Sequence, residues 1–207
     1  MFSGIIERVS RIRDVVAEGP SRRLTLDTGF ADLALGESVA VNGVCLTVTR
    51  YDAGGEADFF ISPETLERSN LAGVTAGSRV NVERSVTLST RLSGHLVQGH
   101  VDGKARLATV ANDRGACRVT LSLPRKLRPY CVEKGSIALN GISLTLNAVD
   151  DSGADGCFPI AITLIPHTWT HTNLRHCALG DEINVEVDVL AKYVEQLCHA
   201  YLKPLNV

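Results

Sequence analysis

Two sets of side chains in this 207-residue chain have types and spacings that suggest chemistry. The first is soft or nitrogenous: His167 and His171 lie four apart with His176 beyond them, and six cysteines stand at Cys45, Cys117, Cys131, Cys157, Cys177 and Cys198. Spacing of four brings two imidazoles together for a metal only on a helix. Thr168, Trp169, Thr170 and Thr172 favour strand or loop there, no carboxylate or thiol flanks them usefully, and no CxxC pair occurs. No metal centre is expected, and most of the cysteines read as small core residues in a reducing compartment. The second set is modest but present twice: Ser38, Cys45 and Thr47 early in the chain, Ser136, Ser143 and Thr145 later. Small hydroxyl and thiol groups leave room for a flat ring while offering donors and acceptors to its edge.

Both sets of small polar residues sit in an internal repeat. GESVAVNGVCLTV (36–48) returns as KGSIALNGISLTL (134–146), an offset of 98. TLERSNL (65–71) returns as TWTHTNL (168–174), and GSRVNVE (77–83) as GDEINVE (180–186), both at 103. The step of five falls in the turn-rich stretch 150–156, facing 52–56, where insertions are tolerated. A weaker match of MFSG (1–4) with HVDG (100–103) puts the repeat boundary near 98. Each copy consists of short alternating segments rich in Val, Leu, Ile and Thr between Gly, Asn and Asp, the pattern of an all-β domain.

Asn42-Gly43 and Asn140-Gly141 predict two-residue type I′ hairpin turns, because both positions need positive φ. Pairing outward from the turn sets Val41 against Val44 and Val39 against Leu46 on one face, with Ala40 against Cys45 and Ser38 against Thr47 on the other. In the second copy Leu139/Ile142 and Ile137/Leu144 oppose Ala138/Ser143 and Ser136/Thr145. One face is apolar and the other small and polar, so each copy is expected to be a barrel with a bed for a flat heterocycle.

From Asp188 the period changes. Leu190, Val194, Leu197 and Tyr201 fall on one stripe of an amphipathic helix, with Lys192, Glu195 and Gln196 on the other side. Two closed barrels offer that stripe little core, which points to self-association. A net charge of -2 with 21 % charged residues gives no basic surplus for nucleic acid. No apolar run approaches 18 residues and no secretory signal is read at the N-terminus, so no membrane partner and a cytoplasmic location are expected.

MFSGIIE, VNGVCLTV, GHLVQGHVDG (94–103), NGISLTL, LIPHTWTHTNL (164–174) and NVEVDVLAKYVE (184–195) together resemble the riboflavin synthases over essentially the whole chain. The resemblance implies two tandem six-stranded Greek-key barrels of similar sequence, 1–97 and 98–187, and a C-terminal trimerisation helix, 188–207. It implies a homotrimer in which the N-terminal barrel of one subunit works with the C-terminal barrel of its neighbour. The reaction it implies is a dismutation: two 6,7-dimethyl-8-ribityllumazine molecules exchange a four-carbon unit, giving riboflavin and 5-amino-6-(D-ribitylamino)uracil without metal or organic cofactor. Association with lumazine synthase is left open.

Carried over by position, the family's ligand contacts fall on Gly4, Ile5 and Ile6; Cys45, Leu46 and Thr47; and Phe60, Ile61, Ser62, Pro63, Glu64 and Thr65. They continue at Gly99, His100 and Val101; Lys134; Ser143, Leu144 and Thr145; and Ala161, Ile162, Thr163, Leu164, Ile165 and Pro166. Phe2, Ser38, His95 and Asp188 also stand at family site positions. The lumazine 7-methyl group is acidic because its carbanion delocalises into the ring, so a modest base suffices. His100 is the candidate proton carrier, and Ser143 and Cys45 the candidates to act at ring carbon C7. Thr47 and Thr145 would bond the ring edge or ribityl chain, Lys134 and Asp188 the ribityl hydroxyls, and Phe2 would cover the ring. Ser3, Ser69 and Lys104 depart mildly from the family pattern. A non-catalytic antenna protein is the main alternative; a flavin reductase lacks support, as no GxGxxG fingerprint occurs.

Overall fold

A computed structural model describes residues 1–153 and 156–202. The first copy folds as β1 (Arg8–Glu18), β2 (Ser21–Asp27), β3 (Ser38–Val41), β4 (Val44–Tyr51), β5 (Glu56–Ile61), a one-turn helix α1 (Pro63–Arg68) and β6 (Arg79–Arg84). The second repeats it with β7 (Gly103–Asp113), β8 (Ala116–Pro124), β9 (Ser136–Leu139), β10 (Ile142–Val149), β11 (Cys157–Leu164), α2 (Pro166–His171) and β12 (Glu182–Val187), followed by α3 (Val189–Leu202). Each copy closes into an antiparallel barrel, in the orders β1-β2-β5-β4-β3-β6 and β7-β8-β11-β10-β9-β12. The jump from β2 to β5, and from β8 to β11, gives both a Greek-key connection. Closure removes the sheet edges.

The hairpins adopt the predicted register in both copies, Val41 to Val44 through Ser38 to Thr47, and Leu139 to Ile142 through Ser136 to Thr145. Their turn residues have φ of 48° and 73° at Asn42 and Gly43, and 46° and 80° at Asn140 and Gly141. Val39, Val41, Val44 and Leu46 enter one core, and Ile137, Leu139 and Ile142 the other, with Leu144 packed at its margin. The five-residue insertion lies between β10 and β11, as expected.

The barrels meet about a pseudo-twofold axis. The hairpin tips stand back to back, so close that a Cβ on Gly43 would lie 2.6 Å from the Gly141 nitrogen. Three asparagines from each copy tie them together: Asn81 Nδ2 donates to Asn140 O at 2.9 Å, Asn184 Nδ2 to Asn42 O at 2.9 Å, and Asn173 N to Asn81 Oδ1 at 2.7 Å. Asn70 N completes the set by donating to Asn184 Oδ1 at 2.6 Å.

Three sequence expectations need correction. The weak match of MFSG to HVDG is not the structural one. Phe2 and Val97 exchange N–H···O bonds of 2.7 and 3.1 Å on the axis, which equates residues 2–7 with 97–102 and Gly4 with Gly99. The His167–His171 stretch is helical, because Pro166 at the first position has its φ already set for a helix. The two imidazoles stack at 4.1 Å, and among the described residues no group of three or more His, Cys, Asp or Glu converges. Four of the six cysteines lie in or against a core as expected, Cys131 fully buried and Cys45, Cys117 and Cys177 half-buried, while Cys157 is half-buried and Cys198 exposed. Burial pushes the Cys131 and Cys177 thiols up to about 11. Finally, Phe2 is wholly enclosed with Ala40, Val97 and Ala138 between the barrels, leaving no free ring face.

Helix α3 forms where the period predicts. Its stripe points outward: Leu190, Tyr193, Val194 and Leu197 are all exposed. Lys192 turns inward to an ion pair with Asp102 at 2.7 Å. The side chain of Tyr201 lies outside the described residues. No helix among them is long and apolar enough to cross a membrane.

Candidate functional site

On each barrel the outward face of the Asn-Gly hairpin is completed by a segment from the chain's other copy. Residues 97–101 run beside β4, where Cys45 N donates to Gly99 O at 2.9 Å. Residues 2–6 run beside β10, where Ser143 N donates to Gly4 O at 2.7 Å. Val101 packs on the first barrel's core and Ile6 on the second's. Glycine is required at both crossings. Gly4 and Gly99 have φ of 76° and 81°, and a Cβ would lie 2.7 Å from Ser143 Cβ and 2.6 Å from Cys45 Cβ.

Two cradles result. The first presents half-buried Cys45, exposed Thr47 and Phe60, and exposed His100; the second presents half-buried Ser143 and exposed Thr145, Thr163 and Ile5. Half-buried Ser38 and Ser136 lie beside Thr47 and Thr145 on the paired strands. Lys134 is exposed and left-handed at φ 65°, where the first copy has Gly36 at 82°. A lysine in this backbone carries a strain that a glycine avoids.

The second cradle is also the one with a histidine in contact. Buried His95 places Nδ1 2.7 Å from Ser143 Oγ, while its buried Nε2 has no hydrogen-bond partner among the described residues. Burial lowers the His95 pKa, against a smaller opposing pull from Asp188. Burial thus disfavours the charged ring, and in the tautomer protonated at Nε2 the Nδ1 accepts the hydrogen bond of the Ser143 hydroxyl. Asp188, half-buried, borders a cleft of about 510 Å³ with Gly135, Ser136 and Val194. Its counterpart of about 540 Å³ is bordered by Ser3, Ile5, Glu83 and Ser85.

Not every expected contact offers a side chain. Leu46, Ile61, Ile162 and Leu164 point into the barrel cores, and Ala161 is buried. With a strand period of two, Leu46, Ile61, Ile162 and Leu164 have only backbone to give a ligand on the outer face, whereas Ala161 shares the face of Thr163 and offers it no more than a methyl group. Ser62 caps α1 by accepting from Thr65 N, Glu64 pairs with Arg68, and Pro63 and Pro166 open their helices. Ile165 is exposed at the start of α2.

Two residues of the site escaped sequence reasoning. Glu83 and Glu186, the last residues of VNVE and INVE, are buried and hold segments 3–4 and 98–100 by their backbone N–H groups. Burial raises both carboxyls' pKa, opposed by those same hydrogen bonds. The signal was their recurrence in both copies.

A family model for the lumazine binding domain matches the chain twice, at residues 3–85 and 98–188. Two such domains in tandem define a class of protein. Within it, riboflavin synthase of Mycobacterium tuberculosis (strain H37Rv) is 42 % identical over 199 residues, covering 95 % of this chain and 98 % of that protein. The Photobacterium leiognathi enzyme is 37 % identical (95 % and 88 % covered) and that of Bacillus subtilis (strain 168) 35 % (96 % and 90 %). Among solved structures, LumP complexed with riboflavin matches with a TM-score of 0.80 at 23 % identity, covering 90 % of this chain and 99 % of that one. That likeness is one of fold. The chain belongs to the riboflavin synthase family. It is a transferase that dismutates two 6,7-dimethyl-8-ribityllumazine molecules into riboflavin and 5-amino-6-(D-ribitylamino)uracil.

Proposed function

We propose that the working site forms in a cytoplasmic homotrimer, between the first cradle of one subunit and the second cradle of its neighbour. One observation carries this reading. Gly4 and Gly99 lie two residues out, in opposite directions, from the Phe2–Val97 bridge. At about 3.3 Å per residue the cradle edges of one chain are roughly 13 Å apart along that segment. Two rings that exchange carbon must touch. The outward apolar stripe of α3 supplies a surface for the partner.

Within such a site Cys45, Thr47 and His100 face one lumazine, and Ser143, Thr145 and Lys134 the other. His100 takes and returns the 7-methyl proton. Ser143, its hydroxyl aligned by His95, engages C7 of the ring on its side, and Cys45 is the corresponding group opposite. Lys134 and Asp188 bind ribityl hydroxyls. Alignment of the two rings supplies much of the acceleration. The test is to delete residues 190–207 and measure mass in solution together with riboflavin formed from the lumazine alone. The expected result is joint loss of trimer and turnover; a truncated monomer with full turnover overturns the proposal.

A further inference from the structure

We infer that Glu83 and Glu186 are positioning residues that brace the cradles crosswise, each carboxylate fixing the segment that completes the other barrel's cradle. The inference rests on the cradle assignment above. Glu186 stands on β12 of the second barrel, opposite Ala138, and is 3 % exposed. Its Oε1 accepts from Gln98 N at 2.6 Å, and its Oε2 from Gly99 N and His100 N, each at 2.9 Å. That segment lies on β4 of the first barrel and carries His100. Glu83 stands on β6 of the first barrel, opposite Ala40, also 3 % exposed. Its Oε1 accepts from Ser3 N at 2.7 Å and Ser3 Oγ at 2.8 Å, and both oxygens lie within 3.1 Å of Gly4 N. That segment lies on β10 of the second barrel.

A buried carboxylate is costly unless its lone pairs are used. Here they are used on backbone N–H groups of a segment held to neighbouring strands by single backbone bonds rather than by a continuous ladder, which is the way to hold a short loop in a single conformation. The alternative is that each glutamate merely stabilises its own barrel. Its hydrogen bonds argue otherwise, since their beneficiaries lie on the neighbouring β4 and β10. Isolating one barrel's chemistry by mutating only that barrel is therefore not possible: the first cradle's geometry is set by position 186.

Amide hydrogen exchange on full-length Glu186→Gln and Glu83→Gln separates these readings. Gln places an N–H₂ group against backbone donors, so the clamp opens without a change of size. In E186Q the Cys45 amide, which bonds Gly99 O, is expected to exchange at least tenfold faster with the Ser143 amide unchanged. In E83Q the pattern reverses. E186D, which keeps the charge, gives a smaller effect of the same kind and stands in if E186Q does not fold. Acceleration confined to each glutamate's own barrel, or equal at both amides, overturns the inference. In parallel, riboflavin titration with peptide-resolved alkylation of Cys45 reads the ligand. E186Q is expected to weaken one ligand equivalent about tenfold and to lose protection of Cys45. Crossed amide effects with both equivalents intact leave the clamp standing and overturn the cradle assignment instead.

Discussion

The two cradles share a backbone and differ in what they present. Cys45 and Ser143 stand at the same register, their amides bonded to equivalent glycines. Around them the first cradle has His100 and Gly36 where the second has Ile5 and Lys134, and only Ser143 has a histidine at hydrogen-bond distance. On the proposed function, equal frames hold two copies of one compound in equal poses. Unequal side chains then give identical molecules different surroundings, which is what a dismutation needs, because one must lose the four-carbon unit that the other gains.

The comparison can be broken outright at its frame. Gly99→Ala puts a methyl against Cys45 at a left-handed position, so turnover is expected to fall more than a hundredfold while circular dichroism still reports folded barrels. Near-normal turnover in that variant removes the first cradle from the site. At the level of side chains, His100→Ala and Ser143→Ala are each expected to lower turnover by about a hundredfold, in the range of lost acid–base assistance, with riboflavin affinity nearly unchanged. If both stay near wild type, the chemical asymmetry described here is irrelevant to catalysis.

The smallest effect sharpens the second cradle alone. Burial lowers the His95 pKa from its ordinary 6.5, so the unfolded chain takes up that proton first. Stability falls as pH drops through 6.5 and stops falling below the lowered value, by at most about 1.4 kcal/mol per pH unit. Glu83 and Glu186, with raised pKa values, act in the opposite sense, favouring the folded state as the pH falls toward 4.5. Urea unfolding from pH 8 to 5 should show the His95 slope in the wild type and lose it in His95→Asn. An unchanged slope assigns the acid sensitivity elsewhere.

Features set by neighbours in sequence were legible and those set by neighbours in space were not. The Asn-Gly turns fix their own register, and the period of two then divides Val39 and Leu46 from Cys45 and Thr47, so the cradle floors followed from local rules. The same rules could not show that residues 2–6 and 97–101 change barrels, because Gly4 is matched by a hydrogen bond to Ser143, 139 residues away, and Gly99 by one to Cys45, 54 residues away. Phe2 was misread for that reason: its fate depends on Val97 at the far end of the first copy and on Ala138 in the second, neither of which is near it in sequence. In α2 the threonines outweighed Pro166, although a single turn needs a start more than it needs helix formers.

The asparagine contact at the axis has a consequence for how such a chain can change. Asn42, Asn70 and Asn81 bond crosswise to Asn140, Asn173 and Asn184, each to the equivalents of the other two, the self-complementary arrangement of a twofold dimer. In a dimer of separate chains every substitution would appear on both sides at once. Joining the halves in one polypeptide makes each side separately heritable, so a serine can replace a cysteine in one copy while the other keeps it, and two identical folds become free to specialise.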